Sequence, residues 1–225
     1  MLEVCASNLA SALAAEQAGA GRIELCSALS VGGLTPSYGM TQHVFTTTRL
    51  QVMVLIRLRE GNFVYTDREL QVMEQDIQAL RSMCTGFVFG ALTPEGDIDL
   101  PAMQRLMQAA QGMPVTFHRA FDRCRDPFAA LEQIIGLGCC RILTSGQQQS
   151  AAQGIDLLRQ LRERAAGRII IMPGGGVTPD NAHDILTHTG CSEIHASCSA
   201  GTGITDPAAV RQILAILAEK SQNFT

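Results

Sequence analysis

Leu2-Glu3-Val4-Cys5 and Arg22-Ile23-Glu24-Leu25-Cys26 read as two short strands with one shared pattern. Residues two apart in a strand lie on the same face. Leu2, Val4, Ile23 and Leu25 then face outward against helices, while Glu3, Cys5, Glu24 and Cys26 face the other way. Consecutive strands that send carboxylates and thiols to one face are not building an ordinary apolar core. They predict a polar interior that carries metal-binding donor atoms.

Outward from these two segments, strand-like and helix-like runs alternate to the end of the chain. Six more strands are predicted at 51–57, 86–91, 114–118, 141–144, 168–172 and 192–197. Helical spacing of apolar residues marks 8–18, 66–83, 99–111, 126–137, 150–165, 179–187 and 206–220. Asp126-Pro127, Thr178-Pro179 and Asp206-Pro207 each set a capping side chain before a proline at the first helical position. Eight βα units in 225 residues fit a (β/α)8 TIM barrel forming a single domain over residues 1–225. A doubly wound open sheet is the alternative.

Composition excludes several classes of function. A formal charge of -4 gives no attraction to nucleic acid or an anionic membrane. Trp is absent and aromatics make up 4%, so a platform for stacked bases is not expected. No apolar run approaches the roughly 18 residues of a membrane span. The N-terminus lacks a basic leader, and the expected compartment is the cytoplasm. Eight cysteines there are expected as free thiols, and none forms a Cys-x-x-Cys pair. The only lysine is Lys220, in the last helix, which argues against Schiff-base chemistry.

Alternation places further chemistry inside the barrel: Arg57 with Arg59 just beyond, Thr116, His118, Thr144, Glu193, His195 and Ser197. Buried glutamates need counter-charges, and Arg57 and Arg59 are the expected ones. Cys5, Cys26, Arg57, His118, Thr144 and His195 fall late in their strands, at the barrel end where catalytic sites lie. Glu24, Arg57, His118 and His195 are the catalytic candidates. The same residues also fit a buried polar network without chemistry. Gly174-Gly175-Gly176 after the seventh strand opens a helix and, with Ser145, forms a candidate anion site. The glycines could equally serve only to turn the chain. Two thiols on neighbouring strands could hold a soft ion, or be ordinary core cysteines.

Taken in order, several motifs resemble the CutC family of copper homeostasis proteins. They are Arg22-Ile-Glu-Leu-Cys-Ser, Gly32-Gly33-Leu-Thr-Pro-Ser, Ile56-Arg57, Phe63-Val-Tyr65, Phe87-Val-Phe-Gly-Ala-Leu, Thr116-Phe-His-Arg-Ala-Phe-Asp, Leu143-Thr-Ser-Gly and Met172-Pro-Gly-Gly-Gly. The resemblance runs from the first strand to the eighth. It implies a cytosolic TIM barrel, often a homo-oligomer, that handles copper. It also implies Cu(I) ligation by Cys5 and Cys26, for which a near-linear two-thiolate geometry is expected. The chain departs from the family in Leu58, where the family has proline, and in Glu60-Gly61-Asn62-Phe63, where it has Gly-Gly-Asp-Phe. The loop after the eighth strand also reads shorter than in the family. A barrel mouth lined by carboxylates and arginines carries the alternative reading, an enzyme acting on a small metabolite that is phosphorylated in one version. Copper or a small molecule is thus the expected partner, with no nucleic acid and no membrane.

Overall fold

A computed structural model describes residues 1–199 and 203–222. Strands and helices alternate as β1 (Leu2–Ala6), α1 (Leu9–Gln17), β2 (Arg22–Leu25), α2 (Tyr38–Thr47), β3 (Gln51–Leu55), α3 (Asp67–Leu80), β4 (Gly86–Phe89) and α4 (Leu100–Ala110). They continue as β5 (Val115–Phe117), α5 (Pro127–Gly136), β6 (Arg141–Thr144), α6 (Ile155–Ala165), β7 (Ile170–Pro173), α7 (Pro179–Thr189), β8 (Ile194–Ala196) and α8 (Pro207–Gln222). All strand pairs are parallel, and the spatial order is β7-β6-β5-β4-β3-β2-β1-β8. A single bridge, Gly174 to His195, joins the two ends. The sheet is therefore a nearly closed TIM barrel.

Alternation sorts the side chains as the first two strands indicated. Leu2, Val4, Ile23 and Leu25 join Val52, Val54, Phe87, Phe89, Val115 and Phe117 in the large core between sheet and helices. The inner face holds a smaller apolar cluster of Cys5, Cys26, Met53, Leu55 and Val88. Polar groups, with Leu143 and Met172, fill the rest of the interior. Gly90 is a glycine for want of space: a Cβ there would stand 2.8 Å from the His118 ring.

The second helix, α2, is absent from the helical runs read in the sequence. Its apolar periodicity is weak, and Thr41, Thr46, Thr47 and Thr48 each donate a hydroxyl hydrogen bond to the carbonyl four residues back. Such residues are neutral to unfavourable in helix interiors, so propensity gives no signal. The local clue is Ser37 after Pro36, whose Oγ accepts from the Met40 amide at 3.2 Å.

The sequence also misplaces the counter-charges of the glutamates. Arg22, the first residue of β2, donates to Glu3 at 2.7 Å and to Glu193. Arg141, the first residue of β6, donates to Glu193 at 2.7 Å. These four side chains plug the N-terminal end of the barrel. Arg57 and Arg59 follow β3 at the opposite end, too far along the strand to serve there. Arg59 pairs instead with Glu69 at 2.5 Å, and Arg57 reaches loop carbonyls. Thr144 faces outward, since Arg141 and Leu143 occupy the inner positions of β6. Its hydroxyl donates to Asp122 at 2.5 Å.

Lys220, in α8, donates to the carbonyls of Leu186 and Cys191 at 2.6 and 2.9 Å. Ala200, Gly201 and Thr202, in the loop expected to be short, lie outside the described residues. Among those described, no helix is long and apolar enough to cross a membrane.

Candidate metal and ligand site at the barrel mouth

The C-terminal ends of the strands surround a cavity of about 770 Å³. Its wall includes Cys5, Glu24, Arg57, Phe63, His118, Arg119, Gly175, Gly176 and His195. Glu24, Arg57, His118 and His195, singled out from the sequence, thus share one cavity.

Cys5 belongs to β1, and Cys26 follows β2 directly. In the ladder Cys5 sits opposite Glu24. All three are buried. The two sulfurs are 3.8 Å apart, and Cys5 Sγ lies 3.9 Å from Glu24 Oε1. Both cysteines are free thiols. The thiol contact with Cys26, then burial, then the carboxylates raise the pKa of Cys5. Burial also pushes Glu24 up to about 7, with His195 opposing and Glu3 assisting. Glu24 Oε2 has no hydrogen-bond partner.

Deeper in the barrel, His195 Nδ1 lies 3.0 Å from Glu3 Oε1. Burial works against charge on both residues. Their mutual hydrogen bond nonetheless holds the Glu3 pKa below its ordinary value and raises that of His195. Donor atoms of Cys5, Glu24 and Cys26 fall within 4.8 Å of one another, as do those of Glu3, Glu24 and His195. Glu24 is common to both groups. Two thiols beside a carboxylate offer soft donors with a hard one, a set suited to a thiophilic ion.

His118 sits just past β5. Its Nδ1 accepts from the Ala120 amide at 3.2 Å, and its Nε2 has no partner. Burial, then the charge on Arg57, pulls its pKa down to about 3. Arg57, just past β3, donates through Nη1 to the carbonyls of Val31 and Gly33 and through Nη2 to that of Gly61.

The glycine loop forms another part of the wall. The Gly174 amide is bonded to the Thr144 carbonyl within the ladder. The Gly175 carbonyl accepts from the Ala151 amide, and the Gly176 carbonyl from Asn181 Nδ2. Ser145 lies fully buried, its amide and hydroxyl donating to Asp122. It does not reach the cavity. Arg119 does, and it was absent from the residues chosen by alternation because it follows the strand on a 3-10 turn. Its guanidinium donates to Asp122 at 2.8 Å and to Ser145 Oγ at 2.9 Å. A Cβ on Gly175 would stand 3.0 Å from Arg119 Cζ, so the glycine leaves room for that side chain. The arginine and aspartate three residues apart in Arg119-Ala120-Phe121-Asp122 were the available clue.

The model of the CutC family matches residues 1–200. A CutC family protein of Bacteroides thetaiotaomicron is 53% identical over 199 residues, covering 87% of this chain and 79% of that protein. The human copper homeostasis protein cutC homolog is 49% identical over 198 residues, covering 88% and 72% respectively. The crystal structure of CutC from Streptococcus agalactiae superposes with a TM-score of 0.84 at 38% identity, covering 88% of this chain and 98% of that one.

Proposed function

The chain belongs to the CutC family, and from that premise we propose that it is a copper homeostasis protein that takes Cu(I) as cargo through Cys5 and Cys26. The observation that carries the reading is the pair of unbonded sulfurs 3.8 Å apart, with Cys5 in the cavity wall and Cys26 buried directly behind it. That gap is less than twice a metal–thiolate bond of roughly 2.3 Å. An ion between sulfurs so spaced is held in a bent rather than linear arrangement, with space for a third donor. Glu24 stands on that side, its oxygen 3.9 Å from Cys5. Cytoplasmic residence and a homo-oligomeric state belong to the same proposal.

Anaerobic titration of Cu(I) against a strong chelator tests it. Cys5→Ser and Cys26→Ser should each weaken binding by roughly tenfold or more, at least the scale seen when a partner of a metal site is removed. Native affinity and stoichiometry in both variants would return these cysteines to the core.

A second reading has its own support. A cavity of about 770 Å³ is far larger than an ion requires, and it falls within the ordinary range for small-molecule sites. In this reading the mouth receives a small metabolite, with Glu24, Arg57, His118 and His195 around its reacting part. Gly175 and Gly176, with Arg119 alongside, receive an anionic group such as a phosphate, while the Gly174 amide stays in the ladder. The carbonyls of Gly175 and Gly176 are bonded to other parts of the chain, in keeping with amides that serve an anion.

A further inference from the structure

Strand β8 brings His195 to the mouth with one ring nitrogen already engaged. In the ladder His195 sits opposite Glu3 of β1, and its Nδ1 lies 3.0 Å from Glu3 Oε1. Glu3 is fully buried, and Arg22 Nε donates to its other oxygen at 2.7 Å. Both carboxylate oxygens are thus held, and the group cannot turn. A carboxylate bound by arginine accepts hydrogen bonds, so His195 donates its Nδ1 proton and the neutral ring keeps its lone pair on Nε2. Among the described residues Nε2 makes no hydrogen bond, and it is not one of the unpaired polar atoms sealed from solvent. His195 is 8% exposed and lines the cavity, so Nε2 opens on it.

A cation stands on the same wall. Arg119 is fixed by its Nε bond to Asp122 and its Nη2 bond to Ser145, while among the described residues its Nη1 has no partner. Consecutive glycines hold the two side chains close. A Cβ on Gly174 would stand 3.2 Å from His195 Cβ, and one on Gly175 would stand 3.1 Å from Arg119 Nη1. Consecutive Cα atoms are about 3.8 Å apart, so a molecule of a few carbons spans imidazole and guanidinium. An imidazole oriented by a buried carboxylate is suited to act as a general base. Among the described residues no hydroxyl or thiol bonds to His195 Nε2, so the proton it takes comes from the ligand. We propose that the mouth catalyses enolisation of a small phosphorylated carbonyl compound, with His195 as the base and Glu3 as its positioning residue. The phosphate rests on Arg119 Nη1 and on the amides of Gly175 and Gly176, neither of which is bonded within the described chain. Nε2 accepts the proton from the carbon beside the carbonyl. The C–H electron pair becomes the enolate double bond, and the carbonyl π pair moves to oxygen. Return of a proton from Nε2 to either carbon reverses the flow and restores the base. The proposal rests on the reading of the mouth as a metabolite pocket and names its substrate class and its base.

Hydrogen exchange of a probe in D2O tests this, with dihydroxyacetone phosphate as the probe and dihydroxyacetone as its uncharged counterpart. Proton NMR reads the loss of the C–H signal. The native protein should exchange the phosphorylated probe faster than buffer does, and faster than the uncharged one. His195→Gln should slow exchange about 100-fold or more, the scale of a lost general base. Glu3→Gln keeps an oxygen for Arg22 and turns an N–H toward His195 Nδ1, which leaves the ring proton on Nε2. Exchange should fall by about the same factor while calorimetric affinity for the probe holds. Nitrogen-15 NMR of the ring should show the proton on Nδ1 in the native protein and on Nε2 in this variant. A merely structural Glu3 would move affinity and exchange together and leave the tautomer alone. Arg119→Leu should instead raise the probe concentration needed for half-maximal exchange. A native ring protonated on Nε2, native-rate exchange in His195→Gln, or probe bound by the native protein without exchange overturns the base and leaves the metabolite pocket standing. No binding of either probe removes the pocket reading along with it.

Discussion

His118 holds its Nδ1 against the Ala120 amide, and burial together with Arg57 depresses its pKa to about 3. In the unfolded chain a histidine titrates near 6.5. Between these values the unfolded state binds a proton that the native state refuses. Stability contributed by the neutral ring is therefore complete above about pH 6.5 and is lost as pH falls toward 3. The slope approaches one proton, or about 1.4 kcal/mol per pH unit. His118→Asn removes this dependence. Urea unfolding at pH 7, 6 and 5 should show the native protein losing stability faster than the variant as pH falls. Parallel losses would place the His118 pKa near its ordinary value. His195 shifts in the opposite direction, through Glu3, but it is common to both proteins and cancels in the comparison. At this scale the sequence was informative wherever strand alternation acts alone. Glu3, Cys5, Glu24 and Cys26 share the inner face, and their outward neighbours pack under helices. Alternation says nothing about how far along the barrel axis a side chain reaches. That is why Arg57 and Arg59 were paired with glutamates that Arg22 and Arg141 hold.

Helices carry their own local tests. The Asn8 side chain caps α1, accepting from the Ser11 amide at 2.8 Å, and its Nδ2 donates to the Gly203 carbonyl at 2.9 Å. Asn8→Ala removes both contacts and should lower stability by about 0.5–2 kcal/mol, the usual cost of a lost cap. The urea midpoint should fall with no change in slope. Asn8→Asp keeps the acceptor and loses the donor, so recovery in that variant assigns the effect to the cap, while no recovery assigns it to the tie with Gly203. Elements whose caps and periodicity agree were legible in advance. The helix that follows Asp126-Pro127 begins where its signals place it, with Asp126 accepting from the amides of Phe128 and Ala129. The helix over Tyr38–Thr47 was not legible, because its threonine hydroxyls bond back onto its own turns and its apolar stripe is thin. Packing on the sheet, through Thr41 and Val44, decides it instead.

Across the whole barrel, closure is uneven. Strand β8 pairs with β1 at three successive positions but meets β7 only through the Gly174–His195 bridge. Amides along this seam should exchange with solvent before those of β2, which has four paired positions on each side. Deuterium uptake by peptides covering 170–174 and 192–196, compared with 22–25, reads this directly. Simultaneous uptake would show that the barrel opens as one unit. The far end of the barrel is another matter. There Arg22, Glu3, Glu193 and Arg141 are locked together, and the amino terminus donates to the Ser192 carbonyl at 2.5 Å. Among the described residues, that end of the barrel is plugged and the cavity beside Cys5 and Glu24 lies at the other. Phe63, Gly175 and Gly176 share the wall of that cavity with Cys5 and Glu24. An ion taken up on the sulfurs as proposed would therefore share its way out with any molecule held in the mouth, and a large occupant of the mouth should slow loss of the ion.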